Sequence, residues 1–174
     1  MVKQILRKPL RAEEADQLCQ ACSTMLEKLV IWTMLDTGLR VSELCALKPE
    51  NILWQQKTLR ISGKGNSKEN TKHRVVPISI RIQTLLEHYF AINEGFPIGV
   101  RQAQKIVKYV ANKAKIALPI TPHVLRHTFA TLAFQKGISI AAVQKVLGHA
   151  RLETTAIYLN FTDPHVIEEF TRKW

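Results

Sequence analysis

The chain has 174 residues, enough for one sizeable core, with 46% apolar residues and a formal charge of +11. Its few glycines and prolines argue against disorder, and no apolar run approaches the roughly 20 residues that a bilayer span needs. The opening Met1-Val-Lys-Gln-Ile-Leu-Arg-Lys8 is too polar for a secretory signal, so the expectation is a soluble cytoplasmic protein.

In chain order, a first helix is predicted over Ala12 to Ser23. A second, from Met25 to Thr37, is so rich in apolar side chains (Leu26, Leu29, Val30, Trp32, Met34, Leu35) that it should be deeply buried. Gly38 is placed to end it, and a short helix over Arg40 to Leu47 stops before Lys48-Pro49. The pattern then turns β-like in Asn51 to Trp54, Thr58 to Ser62 and Arg74 to Ile78, which reads as a small antiparallel sheet. Its second connection, Gly63 to His73, is long, basic and glycine-containing. Helices return over Ile80 to Asn93, Val100 to Lys115, Pro122 to Lys136 (closed by Gly137), Ile140 to Leu147 (closed by Gly148), Leu152 to Leu159 and Pro164 to Arg172. Thr121 and Asp163, each followed by proline, are helix-start signals. The fold class is therefore mainly α with a small antiparallel β-sheet. A single domain over residues 1–174 is expected, with an arm at 1–9 and a helical tail at 163–174.

The positive charge is unevenly spread. No Asp or Glu falls between Glu94 and Glu153, an interval holding Arg101, Lys105, Lys108, Lys113, Lys115, Arg126, Lys136, Lys145 and Arg151. A second basic stretch, Lys57 to Arg81, has Glu69 as its only acid. One-sided fields of this kind attract polyanions and point to nucleic acid, although a solubilising surface is the plainer alternative. Cys19, Cys22 and Cys45 cannot form a disulfide framework. The Cys19-x-x-Cys22 pair has no second pair to complete a metal site, so these thiols read as structural and partly buried.

Within Thr121-Pro-His-Val-Leu-Arg-His-Thr-Phe-Ala-Thr131, His123 and Arg126 lie three apart and share a helix face. With Thr121 as N-cap, His123 falls at the second helical position, where free N–H groups favour an anion and disfavour imidazolium. Arg126 presents a fork suited to two phosphate oxygens. A core histidine and a surface arginine are the plainer alternative. His149 follows the turn-forming Gly148, and Tyr158 lies nine residues later. Taken singly, these read as a capping histidine and a packing tyrosine. Arg40 follows a glycine turn with Glu43 three residues on to brace it, a pairing that also suits a purely structural role.

The segments Thr37-Gly-Leu-Arg-Val-Ser-Glu-Leu44, Gly63-Lys-Gly-Asn66, His123-Val-Leu-Arg-His-Thr-Phe-Ala-Thr131 and Leu147-Gly-His-Ala150, followed by Tyr158, resemble the tyrosine recombinases in order and spacing. The resemblance runs from about Leu10 to the end. It implies the catalytic-domain fold of that family and a site-specific DNA recombinase that integrates, excises or inverts DNA. Tyr158 would attack the scissile phosphate to form a 3′-phosphotyrosyl bond and release a 5′-hydroxyl. Arg40, Arg126 and His149 would hold the non-bridging oxygens, Lys64 would protonate the leaving oxygen, His123 would act as general base, and Glu43 would support the site. Lys68 and Lys72 lie close enough in sequence to compete with Lys64 for its role.

The partners implied are double-stranded DNA and further copies of the chain, monomeric in solution and tetrameric at synapsis, in the nucleoid. Neither metal nor another cofactor is called for, and the acid-free interval lacks the carboxylates of a two-metal nuclease. Two other readings stay open: a type IB topoisomerase-like enzyme, and a DNA-binding regulator that keeps the fold without catalysis. Typical members carry a separate N-terminal DNA-binding domain, which is not expected here, leaving an excised catalytic domain or a naturally single-domain recombinase. The tail, with Val166, Ile167, Phe170 and Trp174 on one side, would dock on a neighbouring protomer or on its own core.

Overall fold

The computed structural model describes residues 8–62 and 73–148. Helix α2 (Met25–Thr37) forms the axis of the core, with Leu29, Val30, Ile31 and Met34 almost wholly buried. Around it pack α1 (Ala12–Gln20), α3 (Val41–Cys45), α4 (Ile80–Phe90), α5 (Val100–Lys113) and α6 (Pro122–Gln135). Helix α7 (Ile140–Leu147) packs on α6 through a smaller apolar cluster of Ala130, Ala133, Val143 and Leu147. No helix among the described residues is long and apolar enough to cross a membrane.

Local caps account for most of the helix starts. Thr24, Ser79, Thr121 and Ser139 each accept an N–H from the first turn of the helix that follows. Helix α1 stops at Gln20, three residues short of the predicted Ser23, because Ser23 and Thr24 are taken up in starting α2: the Ser23 N–H donates to Glu27. Cys22 therefore sits in a turn, buried, and burial pushes its thiol up to about 12. Helix α4 closes at Phe90 rather than Asn93, whose side-chain amide donates back to the Tyr89 carbonyl. Helix α5 ends two residues early, as Lys115 takes a positive φ of 54°.

Strands β1 (Ile52–Leu53), β2 (Thr58–Ser62) and β3 (His73–Pro77) form one antiparallel sheet in that order. β1 is shorter than the predicted Asn51 to Trp54. Pro49–Asn51 and Trp54–Gln56 are 3-10 turns, and Lys57 is left-handed. Leu59, Ile61 and Val76 point inward, and Arg74, paired across from Ile61, shares that inner face. The helices expected over Leu152 to Leu159 and Pro164 to Arg172, and the connection of residues 63–72, lie outside the described residues.

Candidate active site

Arg126 lies on α6 with only 5% of its surface exposed, whereas His123, one turn earlier, is exposed. This is the reverse of the plainer alternative, a core histidine and a surface arginine. The buried guanidinium is held at two helix ends. Its Nη1 donates to the Gly38 carbonyl at 2.6 Å and its Nη2 to the Leu147 carbonyl at 2.7 Å, beyond α2 and at the last residue of α7. Helix C-termini leave carbonyls without intrahelical partners and carry partial negative charge, so a cation is stabilised there. Gly38 is tightly enclosed at this turn. It adopts φ 62°, and a Cβ on it would come within 2.3 Å of the Phe129 ring.

Glu43 gathers the other guanidinium groups. Its Oε2 accepts the Arg40 backbone N–H at 2.8 Å, and its Oε1 accepts Arg40 Nη1 at 2.9 Å, as the i,i+3 spacing leads one to expect. Arg126 Nη1 stands 4.0 Å away. Burial raises the Glu43 carboxyl, but the hydrogen bonds from Arg74 and the Arg40 N–H outweigh it and hold the group below the usual carboxylate range. Two cationic side chains from segments 86 positions apart, Arg40 and Arg126, thus meet at one carboxylate. Arg40 keeps 46% of its side chain exposed. Lys64, His149 and Tyr158 lie outside the described residues.

Sequence reasoning passed over two residues here. Arg74 makes a bidentate pair with Glu43 (Nη1 to Oε1 at 2.8 Å, Nη2 to Oε2 at 2.7 Å), and its Nε donates to the Val146 carbonyl at 2.7 Å. The period-two alternation Arg74, Val76, Ile78 put it on the inner face and was the available signal. His127, at 8% exposure, is pushed down to about 4 by burial and then by the nearby His123.

His127 has a consequence for stability. An imidazole in the unfolded chain titrates near 6.5. Between that value and about 4 the unfolded chain binds a proton that the folded chain does not, so folding weakens as pH falls through this window. Its contribution is present in full above pH ~6.5, and roughly 2–4 kcal/mol is lost by pH ~4. His127→Gln should flatten the wild-type dependence, measured as urea midpoints at several pH values between those limits. Parallel curves for the two proteins would show that other groups set it.

The basic field is narrower than the sequence suggested. Arg74 and Arg81 are turned to Glu43 and Asp36, and Lys113 lies 3.2 Å from Glu27. Arg101, Lys105 and Lys108 on α5 remain exposed to solvent.

Comparison with known proteins identifies relatives of the sequence and of the fold. Residues 8–165 match the model of the phage integrase family. The chain is 31% identical over 196 residues to tyrosine recombinase XerC of Thermodesulfovibrio yellowstonii, covering 98% of this chain and 64% of that protein. It is 33% identical over 178 residues to XerA of Pyrococcus horikoshii, covering 94% of this chain and 60% of the relative. The chain thus spans about three-fifths of the length of these curated relatives. Among solved structures, XerA recombinase superposes with a TM-score of 0.81 at 28% identity, over 95% of this chain and 64% of that one. XerH, in a post-cleavage complex with its palindromic difH substrate, gives 0.78 at 26% identity, over 95% of this chain and 53% of that one. The mainly helical fold, its small antiparallel sheet and the motifs around Arg40 and Arg126 have one common origin: the chain belongs to the phage integrase family of tyrosine recombinases.

Proposed function

We propose that this chain cuts and rejoins DNA as a site-specific recombinase through a 3′-phosphotyrosyl intermediate, without metal or ATP. The observation that carries the reading is the convergence of Arg40 and Arg126 on Glu43. A displacement at phosphorus concentrates negative charge on the non-bridging oxygens, and fixed guanidinium groups stabilise that charge without reorganising.

In this scheme the Tyr158 oxygen forms a bond to phosphorus as the bond to the 5′ oxygen breaks. His123, at the exposed start of α6, takes the phenolic proton, and Lys64 gives one to the leaving oxygen. His149 adds a hydrogen bond to the phosphate. The phosphotyrosyl bond keeps the energy of the broken phosphodiester, so a 5′-hydroxyl from another strand reverses the step. Double-stranded DNA is the substrate, and the chain assembles with further copies, as a tetramer, when two sites are brought together in the nucleoid.

The test is covalent capture. A library of nicked duplexes, randomised around the nick, is incubated with the chain in EDTA without nucleotide, and DNA that stays attached in SDS is recovered. The expected product is an adduct on Tyr158 with a free 5′-hydroxyl on the released strand. An adduct on another residue, a requirement for divalent metal, or specific binding with no adduct would each overturn the proposal.

A further inference from the structure

We infer that Arg74 is a positioning residue for this site: it occupies Glu43 from below and ties strand β3 to the end of α7, so that Arg40 and Arg126 keep their charge for the phosphate. The inference rests on the reading under Proposed function. Arg74 is 11% exposed in its side chain, as is Glu43, and its planar fork matches both carboxylate oxygens at once. Three guanidinium groups and one carboxylate leave the cluster with a surplus of two positive charges. Because Arg74 meets both oxygens of Glu43, that carboxylate is largely neutralised by a side chain as little exposed as itself. Without Arg74, the carboxylate charge would fall wholly on Arg40, already bonded at 2.9 Å, and on Arg126, 4.0 Å away, drawing the two groups toward the acid.

The third bond reaches further. Arg74 Nε holds the Val146 carbonyl while Arg126 holds that of Leu147, so the end of α7 is fixed by two arginines from different elements. The Arg74 side chain also lies over Gly148, where a Cβ would come within 2.9 Å of its Cδ. In the sequence His149 is the next residue. At its other end, Arg74 follows His73, which pairs with Ser62 across the sheet, and the connection between those two carries Lys64. One side chain therefore joins the strand after the lysine segment, the acid beneath Arg40 and the helix before the histidine.

The test compares Arg74→Gln, Arg74→Lys, Glu43→Gln and the Arg74→Gln/Glu43→Gln double variant, on a duplex recovered by covalent capture. Single-turnover attachment at saturating DNA should slow by about 10²-fold in Arg74→Gln, with DNA affinity changed by less than about twofold. Arg74→Lys keeps the charge but not the fork, so it should recover melting temperature more than rate. In the Glu43→Gln background, removing Arg74 should cost clearly less rate than in the wild type, because the larger part of its action runs through that carboxylate and the rest through Val146. A merely structural role predicts instead that rate follows melting temperature and that the two changes add. Should Arg74→Gln fail to fold, Arg74→Lys decides on the same readouts. Wild-type rates in the Arg74 variants, with Tyr158→Phe inert, would overturn this inference alone. An active Tyr158→Phe would instead overturn the site reading beneath it.

Discussion

Tyr158→Phe is expected to abolish covalent attachment to DNA, by ~10⁴-fold or more, while leaving affinity within about twofold. The substitution removes one oxygen and keeps the ring, so packing around the side chain is preserved as far as a single change allows. The proposed chemistry uses that oxygen as the nucleophile, and nothing else in the chain is asked to replace it. Binding, under the same proposal, would draw on the guanidinium groups of Arg40 and Arg126 and on exposed cations such as Lys105 and Lys108, whose charges the substitution leaves unchanged. The measurement is the fraction of labelled nicked duplex retained with protein in SDS, beside anisotropy for affinity. Adduct at the wild-type level in the phenylalanine variant would sink the assignment. Loss of binding and adduct together would make Tyr158 a packing residue.

Gly38→Ala should produce the largest effect on folding. A non-glycine residue at φ 62° costs roughly 1–2 kcal/mol. The added Cβ would lie 2.3 Å from Phe129 Cδ1 and 2.9 Å from Leu147 Cδ2, an overpacking that costs ~1–3 kcal/mol more. A fall in melting temperature of roughly 5–15 °C follows for a chain of this size. Gly95→Ala is the control, since a Cβ there meets nothing within 4 Å, and its change should stay within about 0.5 kcal/mol. Activity of Gly38→Ala at a permissive temperature is also informative, because the Gly38 carbonyl is an anchor of Arg126. Equal melting temperatures for the two variants would show that the turn relaxes freely.

How much of this was legible beforehand depended on the range of the interaction involved. Thr121-Pro122 announced the start of α6 because capping is local, and the placement of His123 at its second position followed. The Arg40–Glu43 pair was legible for the same reason, being three residues apart. Helix ends such as Gln20 and Phe90 were misjudged by a few residues, since they depend on which neighbour claims the next polar group. The anchoring of Arg126 was not legible at all. Periodicity says which face a side chain takes, but not that carbonyls 88 and 21 positions away will be waiting there. Arg74 looked like part of a basic surface because charge counting ignores the inner and outer faces of a strand.

The bonds that hold Arg126 and Arg74 in place join residues 88, 72, 31 and 21 positions apart. Contacts of such long reach form late, because each must first meet the entropy of closing its loop. A chain still emerging from the ribosome has Arg40 and Glu43 long before it has α6 and α7 to complete the cluster. Under the proposed function, the capacity to break DNA would thereby be withheld from nascent and partly unfolded molecules, and correct folding itself would serve as the licence to act.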